Sequence, residues 1–160
     1  MNKKEMGITV KGLVEYASEC FGNGDYKEMI KTFDIALSIA NMYELFEYIE
    51  HDFNVSKWDM SNVKNMSYMF YGCYKFTGKG IGNWNVSNVK DIGGMFAACE
   101  NFNCDLSNWN VSNVTDMSYV FIDCEKFKGK GLENWNVTNV TNMRRMFDGC
   151  NKLTIPDWYK

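Results

Sequence analysis

The chain has 160 residues, of which 46% are hydrophobic and 16% aromatic, so it can bury the core of one domain and lacks the composition of a disordered protein. Its net charge of −3 is uneven: residues 1–54 hold 5 Lys/Arg and 10 Asp/Glu, and residues 55–160 hold 12 and 10. Neither part supplies the cationic stripe that phosphate neutralisation requires, which argues against direct nucleic-acid binding, and the acidic first part suits a basic protein partner better.

The first residues carry lysines but no apolar run of signal-peptide length, because Lys11 and Glu15 interrupt the candidate stretch. No segment approaches the roughly 18–20 apolar residues that a membrane-spanning helix requires. We therefore expect a cytoplasmic protein that does not bind membranes.

Residues 1–52 are predicted to form a helical N-terminal cap. Thr9 precedes a first set of apolar residues at helical spacing, which ends at the turn beginning with Gly22. Asp25 and Glu28 resemble a capping box ahead of a second set, which continues to residue 49. Such a cap is expected because the open end of a repeat stack exposes unpaired backbone groups and apolar side chains.

Residues 53–160 contain an internal repeat. Its units begin at tryptophans spaced 26, 25 and 26 residues apart, and a fifth tryptophan starts a stub: Trp58, Trp84, Trp109, Trp135 and Trp158. A phenylalanine, a cysteine and an asparagine recur at the same spacings: Phe70, Phe96, Phe121 and Phe147; Cys73, Cys99, Cys124 and Cys150; Asn62, Asn88, Asn113 and Asn139. A fixed period of roughly 20–50 residues is typical of a solenoid, in which each unit buries its apolar face against its neighbours.

The pattern within a unit predicts an α/β coil. In the third unit, Trp109, Val111 and Val114 have the spacing of inward positions on a short extended segment. A helical spacing of i, i+3, i+4, i+7 follows at Met117, Val120, Phe121 and Cys124. We therefore predict an α/β repeat solenoid of about four coils, each made of a strand, a turn, a short helix and a return segment. The asparagines are predicted to form a structural ladder of hydrogen bonds between coils.

The unit from Asn108 to Phe121 reads N-W-N-V-S-N-V-T-D-M-S-Y-V-F and resembles the BspA-like leucine-rich repeats over residues 53–158. The resemblance implies a right-handed, leucine-rich-repeat-like solenoid with a binding role. Many members of that family are surface proteins or lipoproteins, and others are encoded by viruses and mobile elements. This chain differs from the surface group in having no signal or lipidation cysteine near its start.

The sequence offers no recognisable catalytic or metal-binding pattern. Its single histidine, His51, lies between two acidic residues, and no nucleophile has a base at a familiar spacing. The six cysteines contain no C-x-x-C pair, and four belong to the apolar face of the coils. Cys20 and Cys104 fall outside the repeat and have no assigned role. We therefore predict a protein without enzymatic activity, cofactor or metal.

Positions that differ between units are free to serve binding, since the fold does not dictate them. Exposed tyrosine and arginine are enriched in interface hot spots, which makes five outward residues of the predicted coil helices candidates: Tyr68, Tyr71, Tyr119, Ile122 and Arg145. Three acidic cap residues are also candidates: Glu44, Glu47 and Glu50. The polar residues beside the tryptophans form an alternative surface on the predicted sheet: Asp59, Asn85, Asn110 and Asn136.

These observations favour a protein–protein interaction module. One alternative is a phage or mobile-element inhibitor of a host nucleic-acid-handling or defence protein, comparable with an anti-CRISPR, that acts through the acidic cap. Another is a surface adhesin or structural repeat protein, which the lack of a recognisable signal disfavours. The sequence identifies neither the partner nor the oligomeric state.

Overall fold

A computed structural model describes residues 46–50, 52–56 and 58–159, which form a stack of four coils. We number the coils from the N-terminus, and each begins with its tryptophan: coil 1 is 58–83, coil 2 is 84–108, coil 3 is 109–134 and coil 4 is 135–157. Equal positions of successive coils pair with each other, as in the parallel bridges between Asn65 and Asp91, Asp91 and Asp116, and Asp116 and Asn142. The sequence period is therefore also the structural period.

The predicted α/β fold class is wrong. Within the described residues, regular helix is limited to two short 3-10 helices, Ile81–Asn83 and Leu132–Asn134. The bridges between coils are isolated and do not extend into strands in that part of the chain. The coils are thus built from turns, and they lack both the strand and the α-helix of the predicted leucine-rich-repeat-like solenoid.

The segment predicted as a helix is a run of tight turns, here called the turn segment: 66–73, 92–99, 117–124 and 143–150. In coil 1 alternate N–H groups donate to the carbonyl three residues earlier, at 3.0–3.2 Å: those of Met69, Tyr71 and Cys73. The N–H groups between and before them donate to carbonyls of coil 2, at 2.9–3.0 Å: those of Met66, Tyr68, Phe70 and Gly72. The φ angles of Tyr68 and Gly72 are +55° and +71°. These left-handed residues interrupt an α-helix, which requires negative φ throughout and bonds to the fourth residue back.

The predicted strand is also divided by turns. In coil 3 the N–H of Val114 donates to the carbonyl of Val111 at 2.9 Å, and the N–H of Trp109 donates to that of Leu106 at 3.0 Å. Between them, the Asn110 side chain accepts the N–H of Ser112 at 3.2 Å. Each of these bonds bends the chain within a few residues, so no long extended segment forms.

The predicted inward positions are confirmed as the core. In coil 3, Trp109, Val111, Val114, Met117, Val120, Phe121 and Cys124 are all buried. The ladder phenylalanines stack from coil to coil, with ring centroids 5.9 Å apart for Phe70–Phe96 and 5.7 Å for Phe96–Phe121. Each buried indole N–H also needs an acceptor. That of Trp109 donates to the carbonyl of Ile81, near the end of coil 1, at 3.0 Å.

The four repeated cysteines are free thiols that link the coils by hydrogen bonds. Three of them donate to the carbonyl of the ladder phenylalanine one coil earlier, as Cys124 Sγ does to Phe96 at 3.0 Å. Cys73 Sγ donates in the same way to the carbonyl of Phe46, which precedes coil 1. Burial raises the pKa of Cys73 to about 12 and that of Cys150 to about 11. The same cause raises the pKa of Cys99 and Cys124 well above its usual range. The thiols are therefore protonated at neutral pH, as donation to a carbonyl requires.

Most of the predicted cap, including Cys20 and Glu44, lies outside the described residues. Residues 46–50, predicted to be helical, instead form turns that pair with coil 1. The N–H groups of Phe46 and Tyr48 donate to the carbonyls of Met69 and Tyr71, both at 2.8 Å. In residues 46–50, 52–56 and 58–159 there is no helix with the length and hydropathy needed to cross a membrane.

Candidate interaction surface

Three rows of positions on the turn segments, together with Tyr48, form one surface, here called the turn face, in which the side chain of Ala97 is buried. Its first row lies two residues before each ladder phenylalanine: Tyr68, Gly94, Tyr119 and Arg145. Its second row lies one residue after that phenylalanine: Tyr71, Ala97, Ile122 and Asp148. Its third row lies two residues after: Tyr48, Gly72, Ala98, Asp123 and Gly149. Because equal positions of successive coils pair, each row runs along the stack.

Every residue of the first and third rows has a positive φ, between +52° and +77°. Glycine adopts this conformation at no steric cost, whereas a residue with a Cβ is strained by roughly 1–2 kcal/mol. Coil 2 uses Gly94 in the first row, but the other coils use Tyr68, Tyr119 and Arg145. The backbone alone would thus accept glycine throughout this row.

Three tyrosines meet at the N-terminal end of the turn face, in what we call the tyrosine cluster. The rings of Tyr48 and Tyr71 are 5.2 Å apart, and those of Tyr68 and Tyr71 are 6.0 Å apart, both edge to face. Tyr48 is 59% exposed. The structure thus brings together two predicted site residues, Tyr68 and Tyr71, and adds Tyr48, which the sequence analysis assigned to the cap.

Glycines of the following coils make room for this cluster. A Cβ at Gly94 would collide with the ring of Tyr68, and a Cβ at Gly72 would collide with the ring of Tyr48. The ring of Tyr68 therefore lies against Gly94 of coil 2, and that of Tyr48 lies against Gly72 of coil 1. These contacts restrict the positions of both rings.

The other predicted residues of the turn face lie toward the C-terminal end. Tyr119 and Ile122 are half-buried in coil 3. The guanidinium of Arg144 lies 5.8 Å from the ring centroid of Tyr119. Arg145 is exposed, and its Nε donates to a carboxylate oxygen of Asp148 at 2.7 Å. These residues form a second, more polar group, separated from the tyrosine cluster by the small side chains of coil 2.

Two of the predicted acidic residues, Glu47 and Glu50, are exposed and lie on the same segment as Tyr48. A hydrogen bond with Tyr71, together with partial loss of hydration and the nearby carboxylate of Glu47, raises the pKa of Tyr48 to about 12. The phenol therefore stays neutral at physiological pH and can both donate and accept hydrogen bonds.

The alternative surface, here called the asparagine face, has a structural role. Its members Asp59, Asn85, Asn110 and Asn136 are exposed, and each Oδ1 accepts the N–H of the residue two positions later. The neighbouring asparagine ladder is confirmed as a link between coils: Asn113 Nδ2 donates to the carbonyl of Ser87 at 2.7 Å, and Asn88 and Asn139 do the same. The ladder asparagines Asn88, Asn113 and Asn139 are exposed.

No group of three histidine, cysteine or carboxylate side chains that could hold a metal ion occurs among the described residues. Cys104 is half-buried outside the thiol ladder, and its Sγ lies 3.5 Å from the carbonyl of Asp105. Burial raises the pKa of Cys104.

A search of curated proteins and a search of solved structures each found no significant match. Residues 38–158 match a family described as "Mycoplasma protein of unknown function, DUF285". The match includes all four coils and the segment that carries Tyr48. Because it spans well over half of the sequence, the chain belongs to the DUF285 family.

Proposed function

We propose that this chain is a non-enzymatic protein-interaction module and that the turn face is its binding surface. The observation that carries the proposal is the first row, in which three coils place a large side chain at positive φ where glycine would fit with less strain. Strained residues that packing does not require are concentrated at functional sites. Tyrosine and arginine are also the residue types that dominate interface hot spots.

The asparagine face is a weaker candidate. Its side chains are nearly the same in every coil, and their oxygens already accept bonds within their own turns. A partner that used those oxygens would compete with bonds that shape the coil. The side chains of the turn face differ from coil to coil, so this surface can distinguish one partner from another.

Two narrower assignments accompany the proposal. The N-W-N-V-S-N-V-T-D-M motif supports a relationship to the BspA-like repeats at the level of sequence. The reduced thiols of the cysteine ladder support a cytoplasmic location, because a reducing compartment preserves the S–H groups that donate to the phenylalanine carbonyls.

The proposal is tested by replacing Tyr68 and Tyr119 with glycine, separately and together. Glycine removes the side chain and relieves the backbone strain, so the melting temperature should change little. Proteins captured by the wild-type chain from its native host should be lost from the double variant, as measured by quantitative mass spectrometry. We expect faster dissociation to account for the loss, since buried aromatic contacts mainly set dissociation rates.

Tyr74→Ala is the control, because Tyr74 is also a half-buried tyrosine but lies outside the three rows of the turn face. It should retain the captured proteins. Replacing Asn85, Asn110 and Asn136 together with alanine tests the other face. If that variant stays folded and loses the captured proteins while the glycine variants keep them, the turn face is not the binding surface.

A further inference from the structure

Each turn segment donates a fixed set of backbone N–H groups to the coil that follows it. In coil 2 four alternate N–H groups donate to coil 3 at 2.8–3.1 Å: those of Ile92, Gly94, Phe96 and Ala98. Their acceptors are the carbonyls of Asp116, Ser118, Val120 and Ile122. Coil 1 bonds to coil 2, and coil 3 to coil 4, by the same scheme. The side of a turn segment that faces the next coil is therefore a row of four donors.

Coil 4 has the same row of donors, here called the open edge. Its N–H groups are those at the equivalent positions: Met143, Arg145, Phe147 and Gly149. Among residues 46–50, 52–56 and 58–159, none of these four backbone groups has a hydrogen-bond acceptor. A row of unpaired backbone donors is a template for pairing with another chain.

The apolar side chains of coil 4 are also incompletely covered. In coil 3 the inward residues Val111, Val114 and Met117 are at most 2% exposed. Their equivalents in coil 4 are half-buried: Val137, Val140 and Met143. Ile155, later in coil 4, is 50% exposed. A partner that covered these side chains would gain the hydrophobic stabilisation that each earlier coil gains from the next.

Tyr159 covers the outer side of Phe147, where the stack would otherwise continue. Successive ladder phenylalanines stack at 5.7–5.9 Å between ring centroids. The ring of Tyr159 instead meets Phe147 edge to face at 4.8 Å, and its hydroxyl lies 3.5 Å from the carbonyl of Met143. Tyr159 thus takes the place of a further ladder ring, while the four donors of the open edge keep no acceptor in the described residues.

We infer that the open edge docks a turn segment of the same repeat type from another protein, laid parallel to residues 143–150. The contacts between coils define what that segment offers: four carbonyls at alternate residues and a phenylalanine that stacks on Phe147. Its cysteine would donate to the carbonyl of Phe147, as Cys150 does to that of Phe121. Adding a segment to an unpaired edge provides affinity through main-chain bonds and specificity through side chains.

This inference goes beyond the proposed function, because it uses backbone groups at one end of the stack instead of the side chains of the turn face. A second copy of the chain fits the open edge poorly. Two copies joined by their open edges would place donors against donors, which is costly. The carbonyls of Met69 and Tyr71 in coil 1 already accept the N–H groups of Phe46 and Tyr48. The occupant is therefore a segment whose carbonyls are still available.

The experiment adds a synthetic peptide with the sequence of residues 114–127 to the full chain under reducing conditions. This peptide contains the four carbonyls that accept bonds from coil 2, with Phe121 and Cys124 at their natural spacing. At saturating peptide, we expect the four amide hydrogens of the open edge to exchange with solvent at least about tenfold more slowly in NMR spectra. The equivalent amides of coil 2 are the internal reference and should keep their rates. A peptide of the same residues in reverse order is the matched control and should protect none of them.

Two changes locate the docked segment. Phe121→Ala in the peptide should weaken binding about tenfold by calorimetry, because no ring then stacks on Phe147. Tyr159→Ala in the protein should strengthen binding about threefold, because the incoming ring no longer has to displace that of Tyr159. The glycine variants of Tyr68 and Tyr119 should bind the peptide like wild type, so this inference and the proposed function can fail separately.

Unchanged exchange at saturating peptide, equal protection by the reversed peptide, or weaker binding in Tyr159→Ala would overturn the inference. Protection of the four amides that rises with the concentration of the chain alone would also overturn it, since a second copy would then occupy the open edge.

Discussion

The turn face and the asparagine face come from the same four coils but are built on opposite principles. On the asparagine face, equal positions hold nearly equal side chains, and each Oδ1 accepts a backbone N–H of its own turn. On the turn face, equal positions hold tyrosine, glycine or arginine in one row and tyrosine, alanine, isoleucine or aspartate in the next. The side chains of the asparagine face repeat because they form hydrogen bonds that shape each coil. Those of the turn face vary because the coil does not depend on them.

This difference teaches how to separate stability from recognition in a repeat protein. A side chain that satisfies the backbone must recur in every coil, since each coil has the same backbone groups to satisfy. A side chain that contacts a partner need not recur. We therefore expect changes at uniform positions to lower stability in proportion to burial, and changes at variable positions to affect binding first.

The largest effect is expected at a uniform, fully buried position beneath both faces. Phe96 packs between Phe70 and Phe121 and lies 4.2 Å from the ring centroid of Phe102. Phe96→Ala should lower the free energy of unfolding by about 3–5 kcal/mol, because it leaves a cavity enclosed by rings on both sides. Denaturant unfolding followed by tryptophan fluorescence measures this.

Phe147→Ala is the matched control for Phe96→Ala. Phe147 stacks on Phe121 at 5.9 Å, but it lies in the last coil, and its outer side contacts Trp158 and Tyr159 instead of another ladder phenylalanine. Its loss should therefore cost less than that of Phe96. Equal losses would show that stacking on both sides adds nothing, and the ladder would then not be the main source of stability.

A smaller effect is expected at a uniform but exposed position. Asn113→Ala removes the Nδ2 bond to the carbonyl of Ser87. Because Asn113 is exposed, water can replace the lost donor, so we expect a loss of about 0.5–1.5 kcal/mol instead of the cost of an unpaired buried group. Asn62→Ala serves as control, since Asn62 makes no such bond to the described residues. If thermal unfolding shows the same loss for both variants, the ladder bonds between coils contribute little.

The sequence was a good guide to which residues are buried and a poor guide to the backbone that buries them. Met117, Val120, Phe121 and Cys124 have helical spacing and all lie in the core, yet they belong to consecutive turns. Turns closed by bonds between residues three apart return the chain to the same side every three or four residues, as a helix does. Hydrophobic periodicity therefore does not distinguish the two structures.

A signal of the turns was nonetheless present in the sequence. In the third row, Gly72 and Gly149 have positive φ. Glycine recurring within a predicted helix, immediately before the ladder cysteine, disfavours a helix and favours a left-handed residue. Ala98 and Asp123 obscure the signal in the two central coils, because they adopt the same conformation without being glycine.

Comparing the chain with itself identified most of the candidate surface, but not Tyr48. Tyr68, Tyr71, Tyr119, Ile122 and Arg145 were found because they differ from their equivalents in other coils. Tyr48 was assigned to a helical cap, although Met42, Leu45 and Phe46 fit the M-x-x-[MV]-F pattern of the turn segments closely. The missing tryptophan before them hid this half-unit, and only the hydrogen bonds to coil 1 reveal it.

The smallest change in stability is expected at a repeated position that holds asparagine in some coils and aspartate in others. The bridge row between the two faces reads Asn65, Asp91, Asp116 and Asn142. Burial, together with the nearby charge of Asp116, raises the pKa of the Asp91 carboxyl above its ordinary value of 3.8. The folded state therefore disfavours the ionised carboxylate, so stability is greatest below the unfolded pKa and falls as pH rises through the folded pKa.

Asp91→Asn should make the protein more stable than wild type at neutral pH, because asparagine keeps the Oδ1 that accepts the N–H of Gly93 at 2.9 Å and removes the charge. Solvent screening of this half-buried group limits the gain to less than about 1 kcal/mol. The gain should disappear as pH falls below the unfolded pKa of aspartate, since the Asp91 carboxyl of the wild type is then protonated in both the folded and the unfolded state.

Asp59→Asn should have the opposite effect on stability. The N–H of Ser61 lowers the pKa of Asp59, so the Asp59 carboxylate stabilises the fold above its unfolded pKa. Melting temperatures across the acidic and neutral range test both signs, and a gain in Asp91→Asn that persists at the lowest pH would show that its origin is packing and not charge.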